Sequence, residues 1–276
     1  MRELIAEILR ANDLSYGHYA EPYAGGCGLA LELLFGSHVA EIHLNDIDPA
    51  VWAFWHCVLN ETGKLVELIN ETPVTIDEWR RQRKIVRGEA RASTLRLAFA
   101  AFFMNRTNRS GVIKSAGVIG GLDQLGAYKI DCRFNREQLS RRIMRIAKYR
   151  EQIHLTNLDA LKFVRKMDRK LPERSLIFID PPYFNKGSSL YTSFYNPEDH
   201  AGVAKEVLQS EKNWVVTYDD APEIRALYRS RRQFCFDINY TLNEKRVGTE
   251  LLIASKGIKL PSMLRERQIG RPRVAA

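Results

Sequence analysis

The chain has 276 residues with 42 Lys+Arg and 33 Asp+Glu, a formal net charge of +9, and 45% hydrophobic residues. This composition is typical of a globular protein and excludes disorder over most of the chain. No apolar run approaches the roughly 20 residues of a membrane span, and the acidic start is not typical of a signal peptide. Four widely spaced cysteines fit neither a zinc motif nor a disulfide framework, which predicts a reducing, cytoplasmic location.

The positive charge is concentrated in one central segment. Residues 75–150 contain 18 basic and 6 acidic side chains, a net of +12, whereas residues 1–74 have a net of −8. A solvated helical face is the simplest explanation of a short basic run. A segment this long, interspersed with Phe and Tyr, instead favours a surface that binds nucleic-acid phosphates.

The first half of the chain begins as strand, loop, helix, strand and helix. A β-like run at 18–24 precedes glycines and an apolar helix at 27–35, and an alternating strand at 41–46 precedes a helix that Asp48-Pro49 opens. This order predicts an α/β sheet. Further helices are predicted at 62–72, 76–88, 92–105 and 135–149, with a glycine-rich hairpin or extended loop at 111–131.

The β/α alternation resumes after residue 150. The predicted strands are 152–157, 175–180, 213–219, and two more near 233–242 and 250–255; the predicted helices are 160–167, 198–209 and 221–230, with a loop at 183–196. The chain is thus predicted to form a discontinuous sheet domain (1–74 and 151–258), an inserted, mostly helical DNA-binding domain (75–150) and a basic mobile tail (259–276).

A glycine-rich turn follows the first predicted strand. Gly25, Gly26 and Gly28 would let the backbone approach a ligand closely, at the start of a helix with free N–H groups. Asp46, after the next strand, is placed to accept hydrogen bonds from ribose hydroxyls. Leu31 replaces the third glycine of a dinucleotide fingerprint, and no P-loop lysine follows. Two interpretations stay open: a site for an adenosyl ligand without pyrophosphate, or an ordinary turn of an α/β protein without a ligand.

A second motif, Asp180-Pro181-Pro182-Tyr183, ends a buried, apolar strand. The prolines fix the backbone, so the Pro181 carbonyl lies beside the Asp180 carboxylate as a second acceptor. Two acceptors suit an exocyclic amino group with two N–H donors, and accepting both hydrogens makes that nitrogen more nucleophilic. If the amino group belongs to a nucleic-acid base, Tyr183 can stack on the plane of that base. A proline-stopped strand with a capping Asp is the structural alternative.

Together the motifs resemble those of Dam-like, α-group DNA N6-adenine methyltransferases. Glu21-Pro22-Tyr23-Ala24-Gly25-Gly26-Cys27-Gly28 resembles the family's S-adenosylmethionine loop, Asn45-Asp46 its ribose-binding acid, and Asp180-Pro181-Pro182-Tyr183 its catalytic motif. The resemblance implies a Rossmann-like, S-adenosylmethionine-dependent methyltransferase sheet with an inserted recognition domain. It also implies that Asp159 contacts the cofactor's adenine, and that the enzyme methylates a flipped-out adenine at specific sites without a metal.

The region between the motifs resembles the family's recognition segments, at 105–111 and 133–135. We therefore expect contacts to double-stranded DNA, either to phosphates or to base edges. The candidate residues are Asn105, Arg106, Asn108, Arg109, Ser110, Lys114, Lys129, Arg133 and Asn135. The protein is expected to be a monomer encoded by a bacterium or phage, with a restriction or defence-system partner as an open alternative.

One departure from the family is the lack of a Pro-Gly-Gly-Lys-like segment before Glu21. A truncated start is the expected reason, with weak or differently completed cofactor binding as alternatives. An N4-cytosine methyltransferase and a DNA-binding module with impaired catalysis are the alternative functions, and an RNA target is less favoured. Asp180 favours adenine, since a Ser-Pro-Pro-Tyr-type motif is commoner in the cytosine enzymes.

Several other polar and aromatic residues receive no functional assignment. The six histidines show no metal-ligand spacing and are predicted to be structural or at the surface: His18, His38, His43, His56, His154 and His200. The segment 217–220 is predicted either to line the target-base pocket or to cap the following helix. Trp52, Phe54 and Trp55 are predicted to belong to the core.

Overall fold

The computed structural model describes residues 1–185, 195–240 and 246–265, and contains a seven-stranded sheet of order β3-β2-β1-β4-β5-β7-β6. The strands are β1 (Gly17–Glu21), β2 (Val39–Asn45), β3 (Ile153–Thr156), β4 (Ser175–Ile179), β5 (Asn213–Asp219), β6 (Arg232–Tyr240) and β7 (Arg246–Ala254). Strands β1 to β5 are parallel, whereas β7 is antiparallel to both of its neighbours. Each predicted strand is present, and the predicted α/β sheet is confirmed.

The helices also follow the predicted order. They are α1 (Arg2–Ala11), α2 (Gly28–Phe35), α3 (Pro49–Asn60), α4 (Thr62–Glu71), α5 (Ile76–Val86), α6 (Thr94–Thr107), α7 (Arg136–Ala147), α8 (Ala160–Lys170), α9 (Pro197–Gln209), α10 (Pro222–Leu227) and α11 (Ser262–Arg265). Helix α10 is shorter than predicted, and α1 and α11 are not among the predicted helices. No helix within the described ranges is long and apolar enough to cross a membrane.

Local sequence explains where several helices begin. The Asp48 carboxylate accepts a hydrogen bond from the Ala50 amide, with Pro49 as the first helical residue of α3. Thr75 and Asn135 cap α5 and α7 in the same way. These side chains satisfy amides that a helix end leaves without intrahelical partners, so the boundaries lie close to those predicted.

The connection order creates a switch point between two central strands. The chain runs outward from β1 to β2 and β3, then crosses back to β4 on the other side of β1. In open α/β sheets, ligands bind outside the carboxyl ends of the strands at such a point. The glycine-rich turn follows β1 and Asp180 follows β4, so both sequence motifs lie at this switch point.

The core of the sheet is built around β4, which is buried along its whole length. Phe163 and Met167 of α8 belong to one buried cluster with Ile177 of β4 and Trp214 of β5. Val203 of α9 is in the same cluster. This packing holds the ends of β4 and β5 beside each other, which positions the side chains described below.

The chain packs as two compact units, residues 1–46 with 152–276 and residues 47–151. The charge pattern places the division at 74/75 instead, because residues 47–74 have four acidic side chains and one basic one, and so continue the acidic segment 1–46. Within residues 47–151 these helices pack with the apolar α6 and with α7. The assignment of catalytic and DNA-binding roles to the two regions stays a prediction.

The structure decides between two predicted forms of one segment and differs from the expectation for another. The glycine-rich segment 111–131 forms turns with a single antiparallel bridge, Asn108 to Val118, so it is an extended loop rather than a hairpin. The start of the expected mobile tail is packed, since Leu260 and Leu264 are buried and the Lys259 amide donates to Asn12. Residues 266–276 of that tail lie outside the described residues.

Candidate active site

The glycine-rich turn bends sharply and opens onto free space. Gly25 has φ +48°, and the non-glycine Cys27, before α2, also has a left-handed φ of 50°. A Cβ added at Gly25, Gly26 or Gly28 would meet no atom within 4 Å. The turn thus presents backbone rather than side chains, which is the surface that a closely approaching ligand requires.

The ends of β2 and β3 are joined to this turn by hydrogen bonds. Asn45 is fully buried, and its amide nitrogen donates to the carbonyls of Pro22 (3.1 Å) and Leu158 (2.9 Å). The half-buried Asp46 accepts the Gly25 amide at 2.9 Å. The Asn45-Asp46 pair therefore fixes the turn, and it places a carboxylate beside the open space.

Asp159 lies after β3 and caps α8. Its Oδ1 accepts the amides of Leu161 (3.0 Å) and Lys162 (3.2 Å). The residue is half-buried on the same edge of the sheet as Asp46. A role in cofactor binding stays a prediction, and the capping contacts show how the residue would be held in place.

Asp180 follows β4 at the switch point. The Thr217 hydroxyl of β5 donates to Asp180 Oδ1 at 2.7 Å. Asp180 is open to solvent, yet the surrounding protein desolvates its carboxyl enough to raise its pKa to about 6, against the Thr217 hydrogen bond and with a smaller contribution from Glu250. At neutral pH the group is mostly ionised, so it is a hydrogen-bond acceptor.

The residues after Asp180 are held by the neighbouring antiparallel part of the sheet. Pro181 and Pro182 are buried, and the Tyr183 hydroxyl donates to Glu250 Oε1 of β7 at 2.7 Å. Asp219, at the end of β5, accepts the amides of Phe184 (2.7 Å) and Asn185 (2.9 Å). These contacts fix the backbone as it leaves the motif. Residues 186–194, within the predicted loop 183–196, lie outside the described residues.

Glu21 is a buried carboxyl at the end of β1. Tyr19 donates its hydroxyl to Glu21 Oε1 at 2.9 Å. Desolvation raises the pKa of Glu21 to about 8; the Tyr19 hydrogen bond opposes this rise and the charge of Asp180 adds to it. Glu21 is therefore mostly protonated at neutral pH in the ligand-free protein and can donate a hydrogen bond.

Aromatic side chains surround the same end of the sheet. The hydroxyls of Tyr23 and Tyr195 lie 3.1 Å apart, and the His200 Nδ1 lies 3.0 Å from the Tyr218 hydroxyl. The Phe184 and His200 rings have centroids 5.2 Å apart. Flat apolar faces beside hydrogen-bonding groups are suited to a heterocyclic ring.

These features fit S-adenosylmethionine as a ligand. The open side of the glycine turn accommodates a group that approaches the backbone, and α2 begins without a side-chain cap or an acidic residue in its first turn. A helix start of this kind favours a carboxylate. The Asp46 carboxylate supplies an acceptor suited to ribose hydroxyls.

Within residues 47–151, several of the predicted DNA-binding residues have structural contacts. Asn108 is fully buried: its oxygen accepts the Trp79 indole N–H at 2.7 Å, and its nitrogen donates to the carbonyls of Val112 and Ile113. The Arg133 guanidinium donates to the carbonyls of Asn108 and Asn105. Asn108 and Arg133 thus hold the loop that follows α6.

Most of the remaining candidates also make contacts within residues 47–151. Lys114 pairs with Asp48 at 2.7 Å, and Lys129 donates to the carbonyls of Gln124 and Gly126. The Asn105 amide donates to the Gly111 carbonyl, its oxygen accepts the Arg106 guanidinium, and Asn135 caps α7. Arg109 and Ser110 are exposed. Their DNA-binding roles stay predictions.

The tertiary structure adds residues that the sequence did not single out. Glu250 and Asp219, which form a cross-strand pair of β7 and β5, hold Tyr183 and the following backbone. In the sequence, Glu250 could have been noticed as a single acidic residue directly before the apolar run 251–254. For segment 217–220 the predicted capping role is wrong, because Ala221 is the N-cap of α10, which has no side-chain cap, and Asp220 instead pairs with the Arg225 side chain. Thr217 contacts Asp180, and a role of this segment in the target-base pocket stays a prediction. Trp55 is buried as predicted, and Trp52 and Phe54 are half-buried.

Similarity to solved structures is low. A conserved hypothetical protein of Streptococcus pyogenes has 12% identity, covers 88% of both chains and has a TM-score of 0.34. Protein LPL1258 of Legionella pneumophila strain Philadelphia 1 has 12% identity over 96% of this chain and 87% of its own, with a TM-score of 0.31. No curated protein matches the chain significantly.

A family model gives the decisive match. The model for D12 class N6 adenine-specific DNA methyltransferases matches residues 2–245, which include both motifs and the basic segment between them. The match agrees with the Asp-Pro-Pro-Tyr motif at the switch point and with the mostly parallel, Rossmann-like sheet. This chain belongs to the D12 class of N6 adenine-specific DNA methyltransferases.

Proposed function

We propose that the protein transfers a methyl group from S-adenosylmethionine to N6 of an adenine that has been flipped out of double-stranded DNA. The observation that supports this most directly is the position of Asp180 beside the glycine-rich turn, at the switch point of the sheet. A ligand in the turn and a base at Asp180 would then share one end of the sheet. Proximity of the two reactants supplies much of the rate enhancement in such group transfers.

The cofactor would be held by the turn 21–28, with Asp46 on the ribose and Asp159 near the adenine. When bound, S-adenosylmethionine supplies a methyl group on a cationic sulfur, which is a good leaving group. The backbone amides at the start of α2 would bind its carboxylate. Glu21, being protonated in the ligand-free protein, could donate a hydrogen bond or ionise when a cationic ligand lies close.

The target amino group would be held by two acceptors of this chain. The Asp180 carboxylate accepts one N–H and the Pro181 carbonyl accepts the other, which localises the nitrogen lone pair for attack. Thr217 fixes Asp180 through Oδ1, so Oδ2 is the oxygen proposed to face the base. The Tyr183 ring, fixed by its hydroxyl contact with Glu250, would stack on the adenine.

DNA binding is proposed for the basic region 75–150. Its exposed side chains include Arg109, and three apolar residues of the loop 111–131 are also exposed: Leu122, Leu125 and Tyr128. Basic side chains bind phosphates, and exposed apolar side chains can contact unstacked bases. Target-site choice would then depend on this region.

The proposal is tested by incubating the chain with double-stranded DNA and isotopically labelled S-adenosylmethionine, and then analysing the digested nucleosides by mass spectrometry. We expect labelled N6-methyladenine from the wild type and none from Asp180→Ala, with the two proteins binding DNA equally. Asp13→Asn is the matched control, since Asp13 is exposed and Asn tolerates its φ of 57°. N4-methylcytosine as the product would instead support the cytosine alternative, and DNA binding without any product would support a module with impaired catalysis.

A further inference from the structure

Three histidines that are far apart in the sequence meet on one face of the sheet. In the strand register His18 of β1 pairs with Glu41 of β2, and His43 of β2 pairs with His154 of β3. Glu41 and His43 are two residues apart, so their side chains point to the same face. The His43 ring stacks between those of His18 and His154, with centroid distances of 5.2 and 4.5 Å.

The polar atoms of this cluster point at one another. His18 Nδ1 lies 2.9 Å from His43 Nε2 and 3.6 Å from Glu41 Oε2. One ligand atom from each of His18, Glu41 and His43 lies within 4.8 Å of the others. A tetrahedral zinc ion with Zn–N distances of 2.0–2.1 Å separates its ligand atoms by about 3.3 Å, so the observed separations need only small side-chain adjustments.

We propose that His18, Glu41 and His43 form a binding site for a divalent transition-metal ion, with zinc(II) as its best probe. Two imidazoles and one carboxylate are a donor set that suits zinc, cobalt or nickel, whereas magnesium and calcium prefer oxygen ligands alone. The His154 Nε2 lies 2.7 Å from Glu41 Oε2 and would orient the ligating carboxylate.

The surroundings permit an ion to enter and bind. The side chains of Glu41 and His18 are 37% and 26% exposed, which leaves a path from solvent, while His43 is buried beneath them. The charge of Lys170 acts on His43 and would oppose the ion.

The proposed site is separate from the catalytic end of the sheet. His18 lies three residues before Glu21 on β1, and His43 lies three residues before Asp46 on β2, distances of about 10 Å along each strand. A metal there would not contact the reacting groups. Instead it would link β1 and β2 at the half of the sheet away from the glycine turn, and thereby stabilise the folded state.

The site is tested by titrating the tag-free, metal-stripped full chain with zinc(II) against a chromophoric chelator, and with cobalt(II) followed by its visible absorption. We expect one ion per chain, a higher melting temperature in the presence of zinc, and binding weakened at least tenfold in Glu41→Gln and His18→Gln. His154→Gln should weaken binding by roughly tenfold, as expected for loss of a residue that orients a ligand.

Two control variants separate this site from incidental binding. His56→Gln alters a histidine of α3 that is outside the cluster, and Cys132→Ser removes an exposed thiol; both should bind zinc as the wild type does. Circular dichroism shows whether each variant folds, and Glu41→Gln is the most conservative because Glu41 is at the surface. Absence of stoichiometric binding, or binding that Cys132→Ser abolishes and Glu41→Gln leaves intact, would overturn the proposal.

Discussion

At the scale of single residues, three carboxyls in different surroundings lie at the end of the sheet where the reaction is proposed to take place. Glu21 is buried with a tyrosine donor, Asp180 is open but partly desolvated, and Glu250 is buried against Tyr183. The negative charge of Glu250 raises the pKa of Asp180, and the negative charge of Asp180 raises the pKa of Glu21, because each negative charge disfavours another nearby. The ionisation of these groups should therefore control activity and stability.

The pKa of Asp180 predicts the acidic limb of the activity profile. In the proposed mechanism the ionised Asp180 is the acceptor that activates the amino group, so kcat/KM should fall about tenfold per pH unit below about pH 6. Methylation rates measured at subsaturating substrate from pH 5 to 8 check this. Asp180→Asn, which cannot ionise, should be slow at every pH. A wild-type midpoint near pH 4 would contradict the predicted pKa.

Glu21→Gln should stabilise the ligand-free protein at neutral pH. The folded-state pKa of about 8 lies above the ordinary value of 4.5, so the folded protein binds the extra proton and loses stability as the pH rises between these values. Gln does not ionise in either state and avoids this cost. Urea unfolding should show a gain on the order of 3 kcal/mol at pH 7 and almost none at pH 4. An equal change at both pH values would show that ionisation is not the cause.

At the scale of elements, short polar contacts decide the conformation of the loops. The segment after α6 has little regular structure, and Asn108 replaces the missing backbone partners by bonding Trp79 of α5 and two carbonyls of the loop. Asp219 performs a similar function after β4 by accepting two successive amides. In both places one side chain fixes a backbone segment that lacks the regular hydrogen bonds of a helix or sheet.

Asn108→Ala tests whether this asparagine holds the loop or reads a base. It would leave the buried Trp79 N–H and two carbonyls without a partner, so we expect the free energy of unfolding to fall by about 2 kcal/mol. Thermal or urea unfolding measures this loss. Asn60→Ala, at the exposed end of α3, is the control and should change stability by less than about 0.5 kcal/mol. Unchanged stability with altered sequence preference would instead support base readout by Asn108.

At the scale of the whole molecule, charge is distributed unevenly. The net charge of +9 arises from a central region of +12, while residues 1–74 have a net of −8. The acidic part of the chain contributes residues of the glycine turn, and the basic part contributes the predicted DNA contacts. The uneven distribution along the sequence predicts that residues 75–150 supply most of the attraction for DNA phosphates.

DNA affinity should therefore depend strongly on salt. Each phosphate contact contributes about 0.9 to the slope of log affinity against log salt concentration. Arg109→Ala should lower that slope by about 1 if Arg109 binds a phosphate. Fluorescence anisotropy at several salt concentrations measures it, with Arg2→Ala as a control in an exposed arginine of α1. A slope equal to that of the wild type would exclude Arg109 as a phosphate contact.

The local sequence by itself determined the elements and the two motifs at the sheet edge. Apolar periodicity located β1 to β5, caps such as Asp48 and Asn135 located helix starts, and Asp180-Pro181-Pro182-Tyr183 indicated amino-group chemistry. These features depend on near neighbours in the chain, which is why a linear pattern records them.

Only the tertiary structure decided which distant residues meet. Strand order places Thr217 and Glu250 beside the motif at 180–183, and parallel register brings together His18, Glu41, His43 and His154. It also shows that Asn108 is buried and that the packing division lies at 46/47 rather than at the change in charge. Burial and cross-strand contact are set by packing between segments far apart in the chain, and no local spacing encodes them.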